Sequence, residues 1–344
     1  MITNLPRQLE QMLEDAVARQ ASDFFLVPGE PPTLRVQGRI ARSEAAPLSA
    51  VLVEAIAAEV LGKDSVEQIG RQVAELHRSF TLAGGSPVCV SVARAAGACT
   101  IAVQIFIAQV PSLEMVRFPQ PILDALLERS GLVVFSGFVG SGKTTSAYVA
   151  ADYVNAQRPC RVCTVEETII PITPKKALVQ QREVGVDVPN TLAGIHAAMR
   201  QDFDVLLVTE VKTVEELEAC LTAAETGHLV IIVLHATSPA DAVQRMLAVF
   251  PPEMREGARR TLAQQLRVVS TQRLLPKIGG RRVAAYAVLT PDDEMRRAIA
   301  SEQEILVRKA PLPEGCRTLA QRIGELEQEG LITKETAENA LRDP

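Results

Sequence analysis

Residues 137–144 read GFVGSGKT, and no other stretch restricts the possible folds of this chain as much. An apolar, β-forming run, LVVF, precedes them, and a helix-compatible segment, TTSAYVAADYV, follows. The pattern G-x-x-x-x-G-K-[ST] between a strand and a helix is a P-loop. Gly137, Gly140 and Gly142 let the backbone bend so that successive N–H groups point inward and cradle phosphate oxygens. The helix that starts there adds the positive end of its dipole. Lys143 supplies a point charge for the β- and γ-phosphates, and the Thr144 hydroxyl is placed to ligate Mg2+. With Ser141 and Thr145 these residues form the expected binding set for ATP and Mg2+.

Length and composition allow a sizeable protein around that loop. At 344 residues the chain exceeds one average domain, so two are expected, with a helical appendix. Hydrophobic residues make up 47% and charged residues 22%, which excludes global disorder. Trp is absent and aromatics total 3%, so the cores must be built from Leu, Val, Ile and Ala. The formal net charge is −5 and no Lys/Arg run stands out, the opposite of what nucleic-acid binding wants. Apolar runs such as LVIIVL at 229–234 fall far short of the ~20 residues of a membrane span, and the N-terminus lacks a signal peptide's apolar core. A soluble, cytoplasmic protein is expected, reaching a membrane only through a partner. Of the six cysteines, Cys160 and Cys163 form a C-x-x-C without a second pair to complete a zinc site. They fall in a strand-like run whose residues three apart face opposite sides, so reduced structural cysteines are the better reading.

The chain divides by pattern. Leu5, Leu9, Met12 and Leu13 recur at helical spacing. Short strands and turns around a helix at 48–61 then give a small α+β domain with a mostly antiparallel sheet, residues 1–110. Residues 111–121 carry three prolines and read as a linker. From 122 to 290 helical patterns alternate with the β runs LVVFS, RVCTV, DVLLV, HLVIIVL and RVAAYAVL, which argues for a parallel α/β sheet covered on both faces. Residues 291–344 read as helices, with a capping box at Thr318 and Gln321 and a stop at Gly330.

Phosphate binding alone does not hydrolyse anything. Glu210 closes the run DVLLVTE, at the strand end where ligands of a parallel sheet sit. It is a candidate water-activating base, or else a carboxylate opening the acidic helix that follows. Glu166 and Glu167 end the preceding strand, and a pair of strand-end acids near one phosphate could share a Mg2+-and-water shell. Glu167 reads better as a solvated acid. His228 and His235 bracket LVIIVL, and seven residues of strand span roughly 23 Å, so they cannot share a metal. His235, at the C-terminal end, can sense a γ-phosphate, whereas His228 alone reads as structural. His77 and His196 belong to no constellation.

Together these segments resemble the secretion-type ATPases of bacterial type IV pilus and type II secretion systems. Residues 177–185, ALVQQREVG, resemble the family's N-Q-R-E-V segment, and MRQDFDVLLVTEVKTVEEL resembles its Walker B region. LTAAETGHLVIIVLHATSPADAVQRMLAVFP resembles its His box, and ASDFFLVPGEPPTLRVQGRI its N-terminal opening. The resemblance implies a homohexameric ring of RecA-like ATPase domains, each preceded by a PAS-like domain, with ATP bound between the two. It implies work on an inner-membrane pilus platform protein, with a related ATPase paralogue as a further possible partner. It assigns Lys143 and Thr144 to the P-loop, Glu210 to Walker B, Glu166 to the Asp box, and both His228 and His235 to the His box. The short chain, without a four-cysteine insertion, fits the retraction-type members best.

Departures from the family pattern leave a second reading open. The acidic segment T-I-E-D-P-I-E is here TVEETII, the Walker B glycine is Thr209, and Phe138-Val139 stand where the P-loop has Pro-Thr. The N-domain arginines that reach the γ-phosphate have no clear counterpart beyond Arg94. A nucleotide-binding paralogue with weak or no turnover, acting as an accessory ring subunit, is the alternative to an active motor.

Overall fold

The structure is a computed structural model that describes residues 5–36, 38–301 and 316–342. Within the C-terminal segment expected to be helical, 302–315 and 343–344 lie outside the described residues. The chain forms two compact units, Met1–Gln109 and Val110–Pro344. The first contains α1 (Arg7–Ala18), β1 (Ala21–Leu26), β2 (Thr33–Val36), β3 (Arg39–Arg42), α2 (Ala50–Leu61), α3 (Lys63–Gln68), β4 (Glu75–Thr81), β5 (Pro87–Ala95) and β6 (Ala98–Ile105). Its strands pair antiparallel in the order β3-β2-β1-β6-β5-β4. Burial alternates along β5: Val88, Val90 and Val92 are enclosed while Cys89 and Ser91 are half-buried. That period of two turns one face inward, where it meets Leu9 and Leu13 of α1 and Ile56 and Val60 of α2. Helix α2 starts where Ser49 Oγ accepts the Leu52 N–H at 3.2 Å, which satisfies one of the donors a helix start leaves open.

The second unit opens with α4 (Leu113–Val116), inside the stretch expected to be a linker, and α5 (Gln120–Leu127), which starts at that stretch's end and continues past it. Between them Phe118 is buried, with its ring centroid 5.6 Å from that of Phe135 and 5.8 Å from that of Tyr286. The proline-rich stretch is therefore anchored to the second unit. Then come β7 (Gly131–Gly137), α6 (Lys143–Gln157), β8 (Arg161–Glu166), β9 (Leu178–Glu183), α7 (Thr191–Met199), β10 (Val205–Val208), α8 (Val214–Glu225) and β11 (Leu229–Leu234). They are followed by α9 (Pro239–Ala248), α10 (Pro252–Gln265), β12 (Leu266–Pro276), β13 (Arg282–Leu289) and α11 (Asp293–Ala300). The sheet order is β13-β12-β7-β11-β10-β8-β9. All neighbours run parallel except β13, which lies antiparallel to β12. The purely parallel sheet expected from sequence thus ends in a hairpin, because the short turn at 277–281 can only return the chain antiparallel.

Alternate residues of the central strands face opposite helical layers. Leu132 and Val134, Leu206 and Val208, and Val230 and Ile232 share one core with residues of α7 to α10. Their neighbours Val133, Phe135, Leu207 and Ile231 are equally buried, and α6 packs on β7, β10 and β11. Both faces of the sheet are covered, which is why these strands read as continuous apolar runs. The last two helices, Leu319–Gln328 and Lys334–Arg342, cover the β12–β13 hairpin. Ile323, Leu326, Ile332 and Ala337 pack there with Leu275, Val283 and Ala285. Their entry is the expected capping box: Thr318 Oγ1 accepts the Gln321 N–H at 3.1 Å, and Gln321 Oε1 accepts the Thr318 N–H at 2.8 Å. Among the described residues no helix is long and apolar enough to cross a membrane.

Leu326 is 0% exposed between that helix pair and the hairpin. Leu326→Ala is expected to lower unfolding stability by about 2–5 kcal/mol in urea titrations. A change below about 1 kcal/mol would show that the pair does not brace the sheet.

Candidate functional site

The candidate site is built at the C-terminal end of β7, which lies between β11 and β12 in the sheet. Gly137, Gly140 and Gly142 have φ of +150°, +76° and +84°, a region that L side chains avoid. The first and last are also pressed by neighbours. A Cβ at Gly137 would sit 2.4 Å from Ser141 Oγ and 2.6 Å from the Gln272 carbonyl oxygen. At Gly142 it would sit 2.8 Å from Gln272 Nε2, whereas at Gly140 it would meet nothing within 4 Å. Helix α6 begins at Lys143 with no side chain capping its first N–H groups. Ser141 Oγ is buried with no hydrogen-bond partner. Uncapped helix donors and an orphaned hydroxyl in one tight loop fit the oxygens of a phosphate group. Thr144 and Thr145 stand half-buried on the first turn of α6, and the Thr144 hydroxyl would be the group to ligate a Mg2+ bound with nucleotide.

Lys143, Glu210 and His235 come together at this loop. Lys143 is 8% exposed and donates from Nζ to the Phe138 carbonyl at 3.2 Å. Burial lowers its pKa, and the Glu210 carboxylate raises it. His235 directly follows β11, whose Leu234 pairs with Ser136 of β7. Its pKa is lowered by burial and by the Lys143 charge, against the opposite pull of Glu210 and of a hydrogen bond with the Gly137 backbone. The imidazole is therefore uncharged at neutral pH. Glu210 lies just past β10, and Lys212 Nζ stands 3.3 Å from its Oε2 while also pairing with Glu167. Glu167, read from sequence as a solvated acid, is thus half of an ion pair.

Two residues expected at the site lie elsewhere. Glu166 is 0% exposed. Its carboxylate accepts hydrogen bonds from Tyr148 Oη, Thr164 Oγ1, Gln181 Nε2 at 2.9 Å and the Ile170 N–H at 3.3 Å. Burial raises its pKa, and these bonds oppose the rise. Its carboxylate is thus held by four protein donors whereas Glu167 pairs with Lys212, so the two acids expected to share a shell are engaged separately. His228 precedes Leu229, which pairs with Gly131 at the far end of β7 from the loop. The six residues of β11 lie between it and His235, a separation of roughly 23 Å. Its Nδ1 lies 2.9 Å from the Ala223 carbonyl, which only accepts, so Nδ1 carries the proton. In the first unit, Arg94 is committed to Glu54 at 2.7 Å and to the Gly97 carbonyl at 3.2 Å. Cys163 is buried, which pushes its thiol up to about 11 and leaves it inert.

Sequence reasoning missed Gln272. It pairs in register with Gly137, is 4% exposed, and its Oε1 accepts a hydrogen bond from Ser146 Oγ of α6 at 2.7 Å. The available signal was the polar triplet Ser270, Thr271 and Gln272 between Val268-Val269 and Leu274-Leu275, all three buried.

Residues 102–318 match the family described as type II/IV secretion system protein. The chain belongs to that family. It is an ATPase with a RecA-like core, and it binds nucleotide. It is 32% identical to the type IV pilus retraction ATPase PilT of Pseudomonas aeruginosa, over 98% of each chain. It is 30% identical to the type IV pilus ATPase PilU of the same organism, over 96% of this chain and 87% of that one. A crystal structure of the pilus retraction motor PilT with bound ADP superposes with a TM-score of 0.82 at 31% identity, covering 98% of this chain and 97% of that one.

Close packing makes the glycines of this ATPase unequal. Gly137→Ala combines a backbone clash with an unfavourable φ and is expected to weaken ADP binding about 10- to 100-fold, the effect of roughly 1–3 kcal/mol of strain. Gly140→Ala meets only the torsional cost of roughly 1–2 kcal/mol and is expected to lose less. Titration with a fluorescent ADP analogue checks the order, and equal losses would show that Gln272 does not crowd Gly137.

Proposed function

We propose that this ATPase is the motor of a type IV pilus machine, of the retraction type. It acts as a homohexamer in the cytoplasm on an inner-membrane platform protein. The observation that carries the reading is the correspondence of nearly the whole chain, in sequence and in fold, with PilT solved with ADP. In this reading Gly137, Gly140, Ser141, Gly142 and the first turn of α6 hold the phosphates, and Lys143 neutralises charge on them. Mg2+, held with the help of Thr144, supplies further charge neutralisation when bound. Glu210 orients and deprotonates the attacking water. His235, uncharged and next to Lys143, donates or accepts a hydrogen bond at the γ-phosphate without adding a second cation.

A second reading is favoured by specific contacts. Glu210 is paired with Lys212, Glu166 is enclosed, and Arg94 is committed within its own unit. Those features suit an accessory ring subunit with weak turnover, and the likeness to PilU extends over 96% of the chain. Steady-state ATP hydrolysis by the purified protein separates the two. The motor reading expects turnover that Glu210→Gln lowers by about 10²–10⁴-fold while ADP still binds. Background rates in both proteins, with ADP bound, would leave the accessory reading standing. Hexamer formation is checked by light scattering. Restored twitching in a pilated strain lacking its own retraction ATPase checks the cellular role.

A further inference from the structure

We propose that Gln272 is the positioning residue of the phosphate loop and sets the affinity of this ATPase for the diphosphate part of its nucleotide. The inference rests on nucleotide binding at the loop and is independent of the pilus reading. One residue touches both ends of the loop. A Cβ at Gly137, where β7 ends, would meet its backbone carbonyl oxygen at 2.6 Å, and one at Gly142, just before α6, would meet its side-chain Nε2 at 2.8 Å. The distance between those ends decides whether the N–H groups from Gly137 to Lys143 converge on one phosphate or splay apart. Leu274 of the same strand also approaches the loop, its Cδ1 lying 3.1 Å from where a Cβ at Gly142 would be, and Ser270 and Thr271 bond the Ser136 hydroxyl just before it.

The amide is fixed from behind. Ser146 Oγ, one turn into α6, donates to Gln272 Oε1 at 2.7 Å and lies 3.3 Å from Tyr286 Oη of β13. With Oε1 engaged, the Nε2 donors are turned towards Gly142 and the start of the helix. A glutamine is suited to this place because it offers an acceptor on one side and a donor on the other. Parallel pairing of β12 with β7 puts it in register with Gly137. Ser146 and Tyr286 are themselves buried, so the chain of contacts is rigid.

The experiment titrates a fluorescent ADP analogue into the full-length protein and records thermal unfolding with and without ADP. Gln272→Glu keeps the acceptor for Ser146 and replaces the donor facing Gly142 by a negatively charged oxygen. Gln272→Leu keeps the volume and removes both. Each is expected to weaken ADP binding about tenfold or more and to shrink the ADP-induced rise in unfolding temperature, over and above the lower unfolding temperature without nucleotide that a buried carboxylate or a Ser146 hydroxyl deprived of its acceptor brings. The KM for ATP should rise more than kcat falls, since the lost interaction is made equally with bound substrate and transition state. Affinities within twofold of the wild type in both variants overturn the proposal. If Gln272→Leu does not fold, Ser146→Ala, which leaves the glutamine in place but unfastened, is expected to weaken ADP about threefold, and an unchanged affinity again overturns it. A wild-type protein that binds no ADP would instead remove the nucleotide reading itself.

Discussion

A phosphate loop depends on one demanding contact: the strand before it and a neighbouring strand must approach closely enough to hold the backbone in a shape that it would otherwise leave. Here the contact is between β7 and β12 at Gly137, and a side chain at that position would collide with the Gln272 carbonyl. The approach is possible because both strands are enclosed by helices and pair without a further shift from Val268–Val133 to Gln272–Gly137, after one irregularity between Leu266 and Val268. The hairpin to β13 and the two C-terminal helices press β12 from the outer side.

The same enclosure sets the electrostatics. Burying Lys143 disfavours its charged form, and only the Glu210 carboxylate raises its pKa in return. Phosphate oxygens would supply the negative charge that the site lacks, so binding energy is stored in an unfilled electrostatic demand. A second full positive charge beside Lys143 would spend that energy on repulsion. The depression of His235 avoids it, because an uncharged imidazole can still hydrogen-bond.

Much of this was legible from residue types and spacing. The alternation of Val88, Val90 and Val92, the apolar runs of β7, β10 and β11, the capping box at Thr318 and the three loop glycines each encode local structure in a local pattern. Strand β9 was less legible as a strand, since LVQQRE lies at the sheet edge with four of its six residues polar. Side-chain direction at strand ends was not legible. Glu166 and Glu210 look alike in sequence, each closing an apolar strand. What separates them is Tyr148, which reaches Glu166 from α6, and Lys212, which reaches Glu210 from the loop before α8. Gln272 escaped because its partners lie more than a hundred residues away, at Gly137 and Ser146.

The contrast between the two acids bears on which can act. Freeing Glu166 would strip four donors from a fully buried carboxylate, and hydrogen bonds to charged groups are worth roughly 1.5–3 kcal/mol each. Freeing Glu210 would break one ion pair whose side chains are 40% and 54% exposed, and such pairs contribute about 0–1 kcal/mol. A nucleotide can rearrange only what its own differential binding energy covers. Glu210 can leave Lys212 at small cost and turn to a water beside the γ-phosphate, with Glu167 remaining to hold the lysine. Glu166 would need most of its surroundings rebuilt. The energies of release therefore favour the proposed base at Glu210 over Glu166, whose contacts suit a bracing role between α6 and β8.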